Sequence, residues 1–113
     1  MPEHLIGNII ILFWMHFIGD FVFQSSYMSK NKSKNVNVLA WHCFIYSLAF
    51  LAFGWKFAML AGILHFPIDF VTSRITSRFY AKERMHNFFV TIGCDQAIHM
   101  TILILTLKYL AII

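Results

Sequence analysis

Residues 60–74 read LAGILHFPIDFVTSR, and this stretch decides which class of fold the chain adopts. Most of it is apolar, as in a membrane-spanning helix, yet His65, Pro67 and Asp69 fall within five residues. Ionisable side chains inside a bilayer are costly, and they usually face the interior of a helix bundle, where they mark functional sites. The stretch therefore predicts a helix that crosses a membrane and carries part of a buried polar site.

The overall composition predicts a membrane protein with a single domain, residues 1–113. Hydrophobic residues make up 59% of the 113 residues and charged residues only 12%, with a mean hydropathy of +0.68. A soluble domain carries about 25% charged residues, and a chain of this length usually forms one domain. The N-terminal apolar run follows Glu3 rather than a basic residue and lacks a small-residue cleavage pattern, so we interpret it as a span and not as a signal peptide.

Four apolar segments predict an all-α, polytopic membrane protein whose four transmembrane helices form a bundle. Their approximate bounds are 5–24, 38–53, 57–71 and 88–112. A helix needs about 20 apolar residues to cross a bilayer, so the second and third segments are short. These two segments could instead form one helical hairpin that turns at Gly54-Trp55-Lys56. The remaining stretch, 72–87, predicts a partly helical amphipathic loop along the membrane surface.

Basic residues predict the orientation of this bundle. Seven of the nine Lys and Arg residues fall in two loops that share one side: Lys30, Lys32, Lys34, Arg74, Arg78, Lys82 and Arg84. The positive-inside rule assigns that side to the cytoplasm and places both termini outside it. Because topology accounts for these charges, the pI of about 9.3 does not indicate a nucleic-acid partner. The expected partners are membrane lipids, with a homo-oligomer as a further possibility.

The polar residues of the predicted spans follow a helical spacing. Each aspartate of the chain lies in a span with a histidine four residues away, and the pairs are His16 with Asp20, His65 with Asp69, and Asp95 with His99. Residues at this spacing share one helix face. His42 adds a fourth histidine on the second span, and at about 1.5 Å of rise per residue all seven side chains lie in the cytoplasmic half of the membrane. One polar set per helix at one depth predicts a site in the bundle core.

These side chains predict a metal centre. Three carboxylates packed together repel one another unless a cation lies between them. Histidine and aspartate ligands favour Zn²⁺, with Mn²⁺ or Fe²⁺ as alternatives. The candidate ligands exceed one tetrahedral site, so they would hold one ion with supporting carboxylates or two ions. They are His16, Asp20, His42, His65, Asp69, Asp95 and His99.

Further residues of the same segments are candidates for catalysis and substrate binding. An aspartate that is not fully used as a ligand, Asp95 or Asp20, would act as general base. Gln24 and Gln96 would bind substrate or, alternatively, join neighbouring helices by hydrogen bonds. Arg74 lies at the cytoplasmic end of the third segment, where its charge suits an anionic substrate.

The ordered motifs resemble a known family of small bacterial and phage membrane proteins, the domain-of-unknown-function family 3307. The motifs are HFIGDFVFQ at 16–24, KNK at 30–32, His42, HFPID at 65–69 and DQAIH at 95–99. The resemblance covers nearly the whole chain. This family is in turn similar to proteins described as membrane-bound metal-dependent hydrolases, which carry His and Asp motifs within the membrane. The resemblance implies a multi-pass protein of the bacterial inner membrane and favours metal-dependent hydrolysis.

Three functions are compatible with this sequence. The first is a metal-dependent hydrolase that acts on an amphipathic or lipid-linked substrate near the cytoplasmic face. The second is a metal-ion or proton conductor that uses the same His and Asp cluster, although the outer halves of the spans lack matching polar residues. The third is a structural or regulatory module whose short helices are held together by metal.

Overall fold

The computed structural model describes residues 2–110 as a bundle of helices without strands. Helix α1 ends in a π-helical turn, a short α2 follows, and α3 leads through a 3₁₀ turn into two long helices, α4 and α5. The bounds are α1 Glu3–Phe17, the π-helical turn Ile18–Val22, α2 Ser26–Asn31, α3 Val36–Leu48, the 3₁₀ turn Leu51–Phe53, α4 Trp55–Ala81 and α5 Met85–Tyr109. The all-helical class predicted from the sequence is thereby confirmed.

Three helical segments are long and apolar enough to cross a membrane. They are Glu3–Val22, Trp55–Ala81 and Met85–Tyr109. Large apolar side chains cover their outward faces, as Trp14 and Phe89 illustrate with 62% of each side chain exposed. Such a surface suits contact with lipid, because a soluble monomer rarely exposes extended apolar patches. Membrane association is therefore well supported.

Helix α3 differs from the other long helices because it has only 13 residues. At 1.5 Å per residue it is about 20 Å long, whereas the hydrocarbon core of a bilayer is about 30 Å thick. It packs against α4 as one arm of a hairpin, and α4 begins directly after Gly54, whose φ is 102°. The hairpin was one of the two arrangements compatible with the sequence. The count of four spans and the outward position of both termini stay predictions.

The amphipathic surface loop expected over 72–87 is, over most of its length, the last part of α4. The helix continues to Ala81 because this stretch contains neither glycine nor proline, the two residues that most disfavour a helix. The helix ends in a Schellman motif, in which Glu83 has a φ of 56° and the Arg84 amide donates to the carbonyl of Phe79 at 2.9 Å.

Apolar side chains fill one half of the bundle and form what we call the apolar layer. It lies at the end marked by Gly54, opposite the end that carries the lysine-rich segment 30–34. Its members come from α1, α3, α4, α5 and the turn after α3: Leu12, Tyr46, Phe50, Phe57, Ala58, Ala61, Met100, Leu103 and Leu107. The other half of the bundle holds the buried histidines and aspartates.

Two glycines allow α3 to approach its neighbours closely. A Cβ atom at Gly62 of α4 would lie 2.8 Å from the Ser47 Cβ and 3.1 Å from the Cys43 carbonyl oxygen. A Cβ atom at Gly19 would lie 3.0 Å from the ring of Tyr46. Real Cβ atoms do not tolerate such contacts in a close-packed interior. The two glycines therefore set how near α3 lies to α4 and to the π-helical turn.

Candidate metal centre

Three helical segments bring four polar residues to one buried point. Asp20 lies in the π-helical turn, where the widened backbone directs a side chain inward, and π-helical turns are frequent at functional sites. His42 comes from α3, and His65 and Asp69 come from successive turns of α4. Each of these four side chains is at most 4% exposed. We call them the four-donor cluster.

The ligand atoms of the four-donor cluster lie within 4.8 Å of one another. His42 Nε2 lies 3.0 Å from Asp20 Oδ1, 3.2 Å from His65 Nε2 and 3.3 Å from Asp69 Oδ2. His65 Nε2 lies 3.5 Å from Asp20 Oδ1 and 3.4 Å from Asp69 Oδ2. These five separations span 3.0–3.5 Å, so the four atoms surround a common centre.

These separations match the coordination geometry of a small divalent cation. A zinc ion with nitrogen and oxygen ligands at about 2.0–2.2 Å places tetrahedral ligands about 3.3–3.6 Å apart. The observed spacing agrees with this range to within a few tenths of an ångström. His42 Nε2 and His65 Nε2 lie 3.2 Å apart beside two carboxylates. Two ring nitrogens this close are stable only with a proton or a cation between them, because two lone pairs or two N–H groups would repel each other. The residues present therefore fit a metal ion.

A second donor group adjoins the first and shares one residue with it. Asp20, Asp95 and His99 offer ligand atoms that also lie within 4.8 Å of one another. His99 Nε2 lies 3.0 Å from Asp95 Oδ1, as their spacing on α5 predicts. The side-chain amide of Gln96 donates to Asp20 Oδ2 at 3.2 Å and to Asp95 Oδ2 at 3.1 Å, and it thereby joins the two carboxylates.

His16 lies beside these donor groups and belongs to neither of them. Its Nε2 is 3.8 Å from Asp20 Oδ2, a longer separation than those within the four-donor cluster. Its Nδ1 pairs with the Tyr46 hydroxyl at 2.9 Å, and its Nε2 pairs with Gln96 Oε1. In the structure, His16 therefore orients the side chain of Gln96. Its predicted role as a ligand stays a prediction.

Aromatic faces hold His65 in place. Its ring stacks on Tyr46 at a centroid distance of 3.9 Å and on His99 at 4.0 Å. Its Nδ1 is buried and has no hydrogen-bond partner among residues 2–110. Metal-bound histidines usually donate their second ring N–H to an oxygen acceptor, which fixes the ring. Here the stacked rings fix the orientation of His65 instead.

A cavity of about 640 Å³ leads from the cluster towards the lysine-rich segment. Its lining includes the cluster residues Asp20 and Asp69 together with several predicted site residues and nearby hydroxyl groups. These further residues are Gln24, Thr72, Ser73, Asp95 and Gln96. Lys30, Lys32 and Lys34 also line it, so we call it the lysine-lined cavity.

Arg74 lies apart from this cavity. Its guanidinium carbon is 3.6 Å from the centre of the Phe70 ring, and its Nη1 donates to the Phe70 carbonyl at 2.8 Å. Arginine commonly stacks on an aromatic face in this way. The structure therefore does not bring Arg74 together with the predicted substrate-binding residues Gln24 and Gln96, which both line the cavity.

Three residues of the site went unrecognised in the sequence. Lys32 Nζ lies 3.0 Å from Asp69 Oδ2, although the pattern of basic residues assigned it only to topology. The Thr72 hydroxyl donates to Asp95 Oδ1 at 2.6 Å. Tyr46 contacts His16 and His65. Helical spacing gave a signal for two of them, since Tyr46 follows His42 by four residues and Thr72 follows Asp69 by three.

Fold and site together define a small helical protein with membrane-length apolar helices and a buried cluster of histidine and aspartate. The sequence profile of one family, described as "Protein of unknown function (DUF3307)", matches residues 9–112. The chain therefore belongs to the DUF3307 family, as its motifs predicted. Comparison with curated proteins and with solved structures gave no significant match.

Proposed function

We propose that this protein is a membrane-embedded metal-dependent hydrolase that acts on an amphipathic or lipid-linked substrate near the cytoplasmic face. The observation that carries the proposal is the geometry of the four-donor cluster, whose five measured separations span only 3.0–3.5 Å. Hydrogen bonding between helices would not require four ligand atoms to converge on one point. A divalent cation does require it, and Zn²⁺ is the ion that these ligands suit best.

Charge at the site supports a bound cation. Asp20, Asp69 and Asp95 are each at most 9% exposed, and the ammonium group that contacts them directly is that of Lys32 on Asp69. Removing a carboxylate from water is costly unless an opposite charge and hydrogen bonds compensate it. One divalent ion among the cluster would supply the missing positive charge, and two ions would use the second donor group as well.

The catalytic base in this proposal is Asp95. Both candidates line the cavity, but Asp20 belongs to the four-donor cluster, whereas Asp95 lies outside it and stays free to act as a base when a single ion occupies that cluster. Thr72 and His99 contact Asp95 Oδ1, and the Gln96 amide donates to Oδ2, so the orientation of the carboxylate is fixed. A bound ion would supply the Lewis acidity that hydrolysis needs. Asp95 would take the proton from the attacking water.

The apolar layer supports binding and hydrolysis over conduction. A conducting pathway needs polar or water-accessible groups on both sides of its site. Here the half of the bundle beyond the cluster is filled by side chains such as Phe50, Phe57 and Leu103, each at most 2% exposed. The lysine-lined cavity extends from the cluster towards the lysine-rich segment, away from these apolar side chains. A site that is reached from one side suits a substrate that enters and leaves by the same route.

The lysine-rich segment also supports a location. Lys30, Lys32 and Lys34 surround the cavity, and the positive-inside rule would place them at the cytoplasmic face of a bacterial inner membrane. Both termini would then face outward, with α3 and α4 as a hairpin between the first and last spans. Membrane lipids are the immediate partners in this arrangement, and a homo-oligomer is compatible with it.

Metal content tests the proposal directly. The full chain is purified in mild detergent without chelator, and metals per chain are measured by inductively coupled plasma mass spectrometry. We expect one or two zinc ions in the wild type and a loss of zinc in Asp69→Asn. Glu3→Gln is the matched control, since it removes a carboxylate on the exposed first turn of α1. A wild-type protein that retains no transition metal would overturn the proposal.

A further inference from the structure

We propose that the lysine-lined cavity binds the phosphate group of an amphiphilic phosphate ester, with Lys32 and Ser73 as the binding residues. This inference rests on the proposed hydrolase function and names its substrate class. It differs from the expectation drawn from the sequence, which assigned the anionic group to Arg74. Lys32 and Ser73 both line the cavity that reaches the metal centre, whereas Arg74 stacks on Phe70.

Lys32 presents donors towards the cavity. Its side chain is only 14% exposed, and its Nζ contacts Asp69 Oδ2 at 3.0 Å. An ammonium group carries three N–H donors. Asp69 accepts one of them, and the other two have no protein acceptor among residues 2–110. A lysine that is this far buried with spare donors is suited to an anionic oxygen, for which charge-assisted hydrogen bonds are the strongest kind.

Ser73 offers a second, independent donor. The residue is 5% exposed, its Oγ has no hydrogen-bond partner within the described part of the chain, and it lines the same cavity. Neighbouring hydroxyls on α4 behave differently, since Thr72 donates to Asp95 Oδ1 and Thr76 donates to the carbonyl of Ser73. A buried hydroxyl without a partner is unfavourable, and such groups are rare in folded proteins. A phosphate oxygen in the cavity would accept its hydrogen bond.

The charges that line the cavity fit a phosphate ester. Among its lining residues are three aspartates and three lysines, so their formal charges cancel. One divalent ion at the four-donor cluster would leave the cavity with two positive charges. A phosphate monoester carries about −1.5 to −2 at neutral pH. The ester would therefore neutralise the loaded site, whereas a neutral substrate would leave this positive charge without a counter-charge.

The remaining lining indicates an amphiphile. Phe21, Phe88 and Ile92 contribute apolar surface to the same cavity. Phe21 belongs to the π-helical turn, and the other two lie on α5, which is itself long and apolar enough to cross a membrane. A ligand with a phosphate head and a hydrocarbon chain would satisfy both kinds of surface at once. Inorganic phosphate would use the lysines and Ser73 but leave these apolar walls uncovered.

The test is binding of dodecyl phosphate to the full chain in dodecyl maltoside micelles, followed by ³¹P NMR. The detergent shares the twelve-carbon chain and lacks phosphate, so it serves as the control ligand. Protein loaded with zinc and protein treated with chelator are compared, and zinc per chain is measured in each sample. The variants are Lys32→Met and Ser73→Ala. Their matched controls are Lys56→Met, at the start of α4, and Ser26→Ala, on exposed α2.

We expect zinc-loaded wild type to bind dodecyl phosphate more tightly than inorganic phosphate. Lys32→Met should weaken binding about tenfold and Ser73→Ala about threefold, because each removes one hydrogen bond to a charged group. The two control variants should bind dodecyl phosphate and retain zinc like the wild type. Equal affinity for the two phosphates would overturn the amphiphile assignment.

Failure of this inference is distinguishable from failure of the hydrolase proposal. If zinc is retained and Lys32→Met and Ser73→Ala bind dodecyl phosphate as the wild type does, the proposed phosphate site is wrong. The proposed metal centre is then unaffected. If the wild type retains no zinc but its binding of dodecyl phosphate still depends on Lys32, the hydrolase proposal fails and the phosphate site stands.

Discussion

The two halves of the bundle use the same helices in opposite ways. In the apolar layer, side chains such as Phe50 and Leu107 fill the interior without polar contacts, and each has no exposed surface. In the other half, the interior positions of the same helices carry histidine and aspartate. Burial is equally deep in both halves, since His42 is 1% exposed. The difference shows that burial in this chain serves packing at one end and the assembly of a charged site at the other.

Loss of Asp20 should have the largest effect, because it removes a ligand from both donor groups at once. We expect Asp20→Asn to lower zinc affinity by more than about 100-fold, beyond the loss typical of a residue that only supports a ligand. Competition with a chromogenic chelator measures this change, with Glu3→Gln as the matched control. If Asp20→Asn bound zinc as tightly as the wild type does, the polar half would not be a metal site, and it would differ from the apolar layer only in composition.

A substitution in the apolar layer should lower the stability of the protein and leave its metal affinity nearly unchanged. Phe50→Ala empties a site with no exposed surface and should lower the free energy of unfolding by about 3–5 kcal/mol. The zinc affinity of the folded fraction should stay within about threefold of the wild type, since no ligand is touched. Unfolding in mixed micelles, followed by circular dichroism, measures the first effect. Phe89→Ala, at an outward position, is the control and should change stability little.

Gly62 connects the two halves, so its substitution should affect both properties. A methyl group there would lie 2.8 Å from the Ser47 Cβ and force α3 away from α4. We expect Gly62→Ala to lower stability by about 1–3 kcal/mol. It should also weaken zinc binding, because α3 carries His42. Gly93→Ala is the control, since nothing lies within 4 Å of its added Cβ and alanine favours a helix over glycine. Equal stability of the two variants would contradict the close approach of α3.

Tyr46→Phe should have the smallest effect of the series. It keeps the ring that stacks on His65 and removes only the hydroxyl that pairs with His16 at 2.9 Å. One hydrogen bond of this kind contributes about 0.5–1.5 kcal/mol. Zinc affinity should therefore fall by less than about tenfold, as measured by the same chelator competition. A loss as large as that of Asp20→Asn would mean that His16 is itself a ligand.

Spacing within a helix is the part of the site that the sequence can predict. Residues four apart share a face, so the pairs on α1, α4 and α5 could be recognised without a structure. Contacts between distant segments could not. Lys32 and Asp69 are 37 residues apart, and His16 and Gln96 are 80 apart. No local pattern specifies which of several lysines, or which histidine, reaches a given carboxylate.

The end of α4 shows a similar limit for the fold. The sequence predicted that the third span ends near residue 71 and that a partly helical, amphipathic loop follows along the membrane surface. In the structure, Thr72 and Ser73 continue the helix and line the polar cavity. A polar stretch of helix that faces a cavity has the same composition as one that faces water. Only the tertiary arrangement distinguishes them.

The stacked rings around His65 have a consequence for the entropy of ligand binding. With Tyr46 on one face and His99 on the other, the imidazole has little freedom to rotate about its side-chain torsions. An exposed histidine loses such rotational freedom when it captures an ion, and that loss opposes binding. Here folding has already fixed the ring, so the ordering cost falls on folding and His65 Nε2 is pre-organised for its ligand.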